Sequence, residues 1–191
     1  MLVEILLLIA ACLFFVTIAS LGWGIGTYNT FRIGQQDIKT QWSNILTEYQ
    51  RRADLLYNLV QAVKSHKKFE KETLVEVIKA RNGNFGPTKP DQIKKLGQLD
   101  GLFNKLMVLF ERYPKLQSNE QHNKLMEEVR ITEDRINIAR TDYNEIVGDY
   151  NKLVQMFPSA IIAGIFKFNT EAFFEGQEGI EKAPDISTNL L

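Results

Sequence analysis

The chain has 191 residues, with 23 basic and 23 acidic side chains, one cysteine and two histidines. Balanced charge excludes a global attraction to nucleic acid, and a single cysteine excludes an intrachain disulfide framework or a cysteine-based metal centre. His66 and His122 have polar neighbours and no histidine or carboxylate at ligand spacing strong enough to argue for zinc or iron, so they read as solvated helix residues; no metal site and no cofactor is expected.

No charged side chain occurs from Ile5 to Gly26. About 20 consecutive apolar residues suffice to cross a bilayer as a helix. A cleaved signal peptide requires a basic n-region and a short apolar stretch; here the n-region holds Glu4 and the run is too long. Ile9-Ala10-Ala11-Cys12 looks like a lipobox, but the hydrophobicity continues past Cys12. The segment 1–26 is therefore read as a retained transmembrane anchor in the lipid bilayer. Arg32 and Lys39 follow the span and no basic side chain precedes it. The positive-inside rule then places the N-terminus outside and the remainder in the cytoplasm. Trp23 and Tyr28 stand where interfacial aromatic residues stand.

About 165 residues remain, enough for one domain. From Tyr28 to Arg81 there is no proline and only one glycine, Gly34. Ile38, Trp42, Ile45, Tyr49, Ala53, Leu56, Leu59 or Val60, and Val63 recur at steps of three and four, as on one face of a helix. The stripe continues through Leu74, Val77 and Ile78, so one helix is expected up to Arg81. Arg51, Arg52 and Asp54 fall largely off it. Residues 83–90, with two glycines and two prolines, read as a loop. A second helix is expected from Asp91, as N-cap, to about Tyr113 before Pro114, with Ile93, Leu96, Leu99, Leu102, Phe103, Leu106, Met107 and Phe110 as its apolar residues.

The third helix is the most regular. Ser118 with Gln121 resembles a capping box. Leu125, Val129, Thr132, Ile136, Ala139, Tyr143, Ile146, Tyr150, Leu153 and Phe157 then alternate steps of four and three, a heptad seam that Pro158 ends. Such a helix of about 39 residues is roughly 58 Å long. The expected fold is all-α: an N-terminal transmembrane helix followed by an elongated antiparallel bundle of long helices over residues 27–175. The seam is assigned to packing within the chain. Residues 160–168 are nearly all apolar but too short to span a bilayer, and Phe173 and Phe174 follow. Packing on the bundle and docking on the membrane interface both remain open for this segment. Residues 176–191 read as a mobile tail.

The polar residues with the clearest structural meaning are Arg51, Arg52, Asp54, Glu133 and Arg140. Glu133 and Arg140 are seven apart on one helix face. Pairing of Asp54 with Arg140, or of Glu133 with Arg51 or Arg52, fixes helix register. Asn58, Asn137 and Asn144 are candidate seam asparagines with a structural role.

Ordered blocks along the chain resemble one known family. Trp42-Ser43-Asn44-Ile45, Arg51-Arg52-Ala53-Asp54-Leu55 with Asn58-Leu59-Val60, and Ala80-Arg81-Asn82 come first. Glu111-Arg112-Tyr113-Pro114-Lys115-Leu116 follows. Thr132 to Arg140, with Tyr143-Asn144-Glu145-Ile146-Val147 and Tyr150-Asn151, is the most specific stretch, and Phe157-Pro158, Ala163-Gly164 and Phe173-Phe174 close the pattern. Over residues 28–175 these blocks are similar to the LemA family. The chain has Tyr57 where the family commonly has proline, which predicts an unbroken helix there. The resemblance implies a prokaryotic membrane-anchored helical bundle without a catalytic set; one branch is associated with magnetosome membranes, and members often sit genetically beside TPM-domain proteins.

No phosphate loop, nucleophile motif or histidine cluster is present. The functional expectation is a non-enzymatic, membrane-anchored scaffold that forms a homo-oligomer. The alternative is an accessory or sensor subunit of another membrane protein, such as a TPM-domain protein or membrane protease. Trp42, Arg51, Arg52, Asp54, Asn58, Glu133, Arg140, Tyr143, Asn144, Phe157 and Pro158 are the structural or interaction candidates.

Overall fold

The computed structural model describes residues 1–63, 71–82, 85–111 and 120–174. Within them the chain is all-helical: α1 Leu2–Val63, α2 Lys71–Asn82, α3 Lys89–Glu111, α4 Glu120–Gln155 and α5 Ser159–Phe166. His66, the Pro114 stop, the Ser118 capping box, the Glu111–Leu116 block beyond its first residue and the tail 176–191 lie outside the described residues, as do the side chains of Leu74, Phe110 and His122.

α1 is unbroken across residues 26 and 27, because no proline or turn chemistry interrupts it. It is long and apolar enough to cross a membrane. Its most apolar 18-residue window has mean hydropathy 2.8, and none of that window is buried. The helix also passes through Tyr57 as expected.

The expectation of one helix up to Arg81 is corrected. α1 ends at Val63, and α2 is a separate element. Arg81 binds Asp54 at 3.0 Å, and its guanidinium lies 4.2 Å from the Tyr57 ring centroid. In one continuous helix, residues 54 and 81 would stand about 40 Å apart. The chain therefore reverses between them, over a stretch without glycine or proline.

The chain divides into two compact units. The first comprises Met1–Gln41 and Asp142–Phe173. Here α1 and α4 run antiparallel: Gln41 meets Asp142 (3.4 Å), and Phe31 meets Tyr150 edge to face. Phe31, Ile38, Tyr143, Val147, Tyr150, Ala163 and Phe168 form its core. The seam of α4 steps from Tyr143 to buried Val147 and not to Ile146, which is half-buried. A straight helix of 3.6 residues per turn drifts off a strict heptad in this way. α4 stops at Gln155, two residues before the expected end. The chain then passes through Phe157-Pro158 into α5, whose C-cap is Lys167 in the left-handed conformation. Beyond α5 the chain is clamped to α4: Asn151 donates to the Glu171 carbonyl (2.9 Å) and accepts from its amide (2.8 Å).

The second unit comprises Trp42–Thr141 together with Phe174. α1 and α3 run parallel, since Trp42 meets Gln92 and Arg52 meets Asp100. α2 opposes α3, with Glu76 on Lys105 (3.2 Å), and α4 opposes α1, with Glu133 on Arg52. The result is an up-down-up-down four-helix arrangement. Its apolar core draws on all four helices, including Ile45, Leu56, Val77, Leu96, Leu106, Val129 and Ile136. The N-cap of α3 is corrected from Asp91 to Thr88. The Thr88 hydroxyl accepts from the Asp91 amide (3.3 Å) and donates to the Asp91 carboxylate (2.6 Å). Pro90 then sits in the first turn, where its missing N–H is harmless.

Gly34 is required by close approach. A Cβ there would stand 2.9 Å from Cδ2 of Tyr150, whereas one at Gly101 meets nothing within 4 Å. Overpacking costs about 1–3 kcal/mol, and alanine gains about 0.5–1 kcal/mol over glycine inside a helix. Thermal unfolding of the detergent-solubilised protein, followed by circular dichroism, will give a lower Tm for Gly34→Ala and an unchanged or higher Tm for Gly101→Ala.

Candidate functional site

The polar centre of the second unit is built on Arg52. Ile45, Tyr49, Arg52, Leu56 and Leu59 follow steps of four, three, four and three along α1, so position 52 lies on the buried face. The expectation that Arg52 falls off the stripe is corrected: its side chain is 0% exposed. A guanidinium keeps its charge at any physiological pH, so burial demands counter-charges. Asp100 of α3 supplies one, at 2.7 Å from Nη1, and Glu133 of α4 the other, at Nη2. The Arg52 guanidinium also lies 4.6 Å from the Phe103 ring centroid, a cation–π contact.

A second arginine closes the network. Arg140 donates to the other oxygen of Asp100 (2.7 Å) and to the hydroxyl of Tyr49, which itself donates to Asp100 (2.9 Å). Its guanidinium stands 4.9 Å from the ring centroid of Phe174. Burial pushes the Asp100 carboxyl up to about 6; Arg52 pulls it back without cancelling the rise, and the charge of Glu133 adds to it. Burial also lowers Arg140 from its ordinary value.

Of the expected pairings, Glu133 with Arg52 is formed. Asp54 with Arg140 is not: α2 folds back and brings Arg81 to Asp54, while α3 brings Asp100 to Arg140. Arg51 is exposed. Trp42 is buried, and its indole N–H donates to Gln92 (2.5 Å). Asn58 and Asn137 are exposed, so neither is a buried seam asparagine; Asn137 reaches only Glu133, one turn away (3.4 Å). Asn144 is half-buried. The buried asparagine is Asn151, in the first unit, where Tyr143 also donates to the Ala172 carbonyl (3.1 Å). Phe157 is 82% exposed and Pro158 is exposed beside it.

Sequence reasoning missed Asp100 and Arg81. The signal for Asp100 was a lone acid between Leu96 and Phe103, on the apolar face of α3. Arg81 stood in the Ala80-Arg81-Asn82 block, but nothing there marked Asp54 as its partner, because that pairing depends on α2 folding back along α1. Among the described residues, no group of three or more His, Cys, Asp or Glu gathers to hold a metal. A cleft between α2 and α3, lined in part by Glu76, Lys79, Phe85, Lys95 and Lys105, includes no member of the network.

Two outcomes follow for the network. Arg52→Leu leaves Glu133 without its cation and Asp100 with Arg140 alone, and will lower stability by about 3 kcal/mol, read from chemical denaturation in detergent. Asp100 binds its proton more tightly in the folded chain than at its ordinary value of 3.8. Its contribution is therefore fully present below about 4 and is lost as the pH rises through about 6. Asp100→Asn will gain on the wild type across that window in Tm measured against pH; a parallel pair of curves would contradict the raised value.

Comparison with known proteins agrees with the motif pattern. A model of the LemA family matches residues 41–187. The protein named LemA of Metamycoplasma hominis is 26% identical, over 87% of this chain and 76% of its own length. Magnetosome protein MamQ 2 of Paramagnetospirillum magneticum is 27% identical, over 78% of this chain and 64% of its own. Magnetosome protein MamQ of Magnetospirillum gryphiswaldense is 26% identical, over 77% and 64%. The chain thus spans a little under two thirds of the length of the MamQ proteins it matches. With the motifs, the helical fold and a family match over most of its length in agreement, the chain belongs to the LemA family.

Proposed function

We propose that this protein is a non-enzymatic scaffold, tethered to the membrane by the N-terminal part of α1 and assembled into a homo-oligomer. One observation carries the reading. The exposed apolar run of the anchor and the buried Phe31 and Ile38 belong to the same unbroken helix of the first unit. Such a helix ties a packed body to the bilayer without a flexible linker. The ionisable groups of the Arg52 network are turned toward one another, an arrangement suited to fixing helix register. The relatives named for the magnetosome add support for work at a membrane.

Arg32 and Lys39, which follow the span, support a cytoplasmic location for the helical units. A C-terminal fusion to a reporter that fluoresces only in the cytoplasm will be bright, and one to a phosphatase active only outside will be silent. The opposite pair of results would reverse the orientation.

The mass of the full-length protein in detergent, by light scattering after size exclusion, tests the assembly. A discrete multimer is the expected result. A monomer would overturn self-assembly and favour the role of accessory subunit to a different membrane protein, with co-purification from native membranes as the next measurement.

A further inference from the structure

The first unit carries a second apolar surface beside the anchor. From Met156 to Phe166 no charged side chain occurs, and lysines 152 and 167 bracket the run. α5 packs one face inward. Ala163 is buried, and the ring of Phe166 lies 4.8 Å from that of Tyr28. Just past the helix, Phe168 stacks on Phe31 at 4.7 Å. The other face of α5 stays bare, with Ile165 65% exposed and Ile161 also exposed, and in the turn before it Met156 and Phe157 are exposed, Phe157 by 82%.

The level of this surface along α1 identifies what covers it. A Cβ on Gly24 would touch Ile162 at 3.6 Å, and Pro158 and Ser159 share a small cleft with Trp23 and Thr27. α5 therefore lies beside Trp23 and Gly24, in the last turns of the apolar run before Thr27, and Trp23 stands at the place of an interfacial aromatic. An eight-residue helix is about 12 Å long, far short of a hydrocarbon core of about 30 Å. Its bare aromatic and branched side chains suit the boundary between headgroups and acyl chains, and flanking lysines can keep their ammonium groups in the headgroup layer.

We propose that Met156–Phe166 is a monotopic foot: it inserts into the bilayer interface beside the anchor, with Phe157, Ile161 and Ile165 in contact with lipid. The occupant is the same bilayer that holds α1, because Pro158, Ser159 and Ile162 sit against Trp23 and Gly24 at the end of the apolar run, where Trp23 and Ile25 are themselves exposed. The proposal rests on the reading of α1 as a retained anchor. A lipid-seated foot resists tilting of the first unit about a single helix.

The test uses the full-length protein in a Cys12→Ser background, reconstituted into vesicles of phosphatidylethanolamine and phosphatidylglycerol. A nitroxide is attached singly at Phe157→Cys, Ile165→Cys, Phe15→Cys or Asn169→Cys, and its relaxation by oxygen is compared with that by a water-soluble nickel chelate. The expected result is an oxygen-to-nickel ratio at 157 and 165 several-fold above that at 169, approaching that at 15. Water-like ratios at 157 and 165 with a lipid-like ratio at 15 would overturn the foot and leave the anchor intact. A water-like ratio at 15 would overturn the anchor reading and the foot with it. Protection from both reagents at 157 and 165 would mean that protein covers the face, and would also overturn the proposal. If either labelled variant loses helicity, Ile161→Cys replaces it and is judged by the same ratios.

Discussion

A guanidinium cannot shed its charge, and Arg52 is wholly enclosed. The second unit is arranged around that constraint. α3 runs parallel to α1 at a register that puts Asp100 on one edge of the guanidinium, and α4 runs opposite at a register that puts Glu133 on the other. Slipping either helix by one turn, about 5.4 Å, would leave the buried guanidinium with only one of its two counter-charges. Apolar side chains of similar volume can pack in more than one register, whereas two charge-assisted contacts from one planar group cannot. Arg140 and Tyr49 extend the same logic, since both converge on Asp100.

The carboxyl at the middle of this network illustrates the competition. Desolvation raises Asp100 even though Arg52 is in contact with it. The raised value comes from burial among groups that are already hydrogen-bonded to each other. The network accordingly reads as a register clamp, in keeping with the scaffold proposal.

The first unit answers a different constraint. Most of its exposed large apolar side chains lie on α1 up to Ile25, in the Met156-Phe157 turn and on α5, with Ile33 and Phe173 exposed as well. In water such continuous surface would drive association; in a bilayer it meets a solvent as apolar as itself. The buried contacts of the unit, Phe31 with Phe168 and Tyr150, and the clamp from Asn151 to Glu171, begin where the uncharged run ends. Gly34 allows the Tyr150 ring to approach α1 closely enough to seal that junction.

The amino-acid sequence by itself determined the helical character, the apolar N-terminal run, the stripes of α1, α3 and α4, and the family, because period and composition are local properties that survive without tertiary context. It was ambiguous at α1, where Ile45 and Tyr49 continue equally well to Arg52 or Ala53; both are buried, and a charge was read as a surface residue by default. That α2 folds back along α1 had no glycine or proline between Asp54 and Arg81 to mark it. Only the tertiary structure decided that Asp54 belongs to Arg81, that Arg140 belongs to Asp100, that Asn151 and not Asn58 or Asn137 is the buried asparagine, and that α5 seats one face on α1 while baring the other. Each of these joins residues separated by 20 or more positions, and their meeting depends on how the helices are brought side by side, which no single helix encodes.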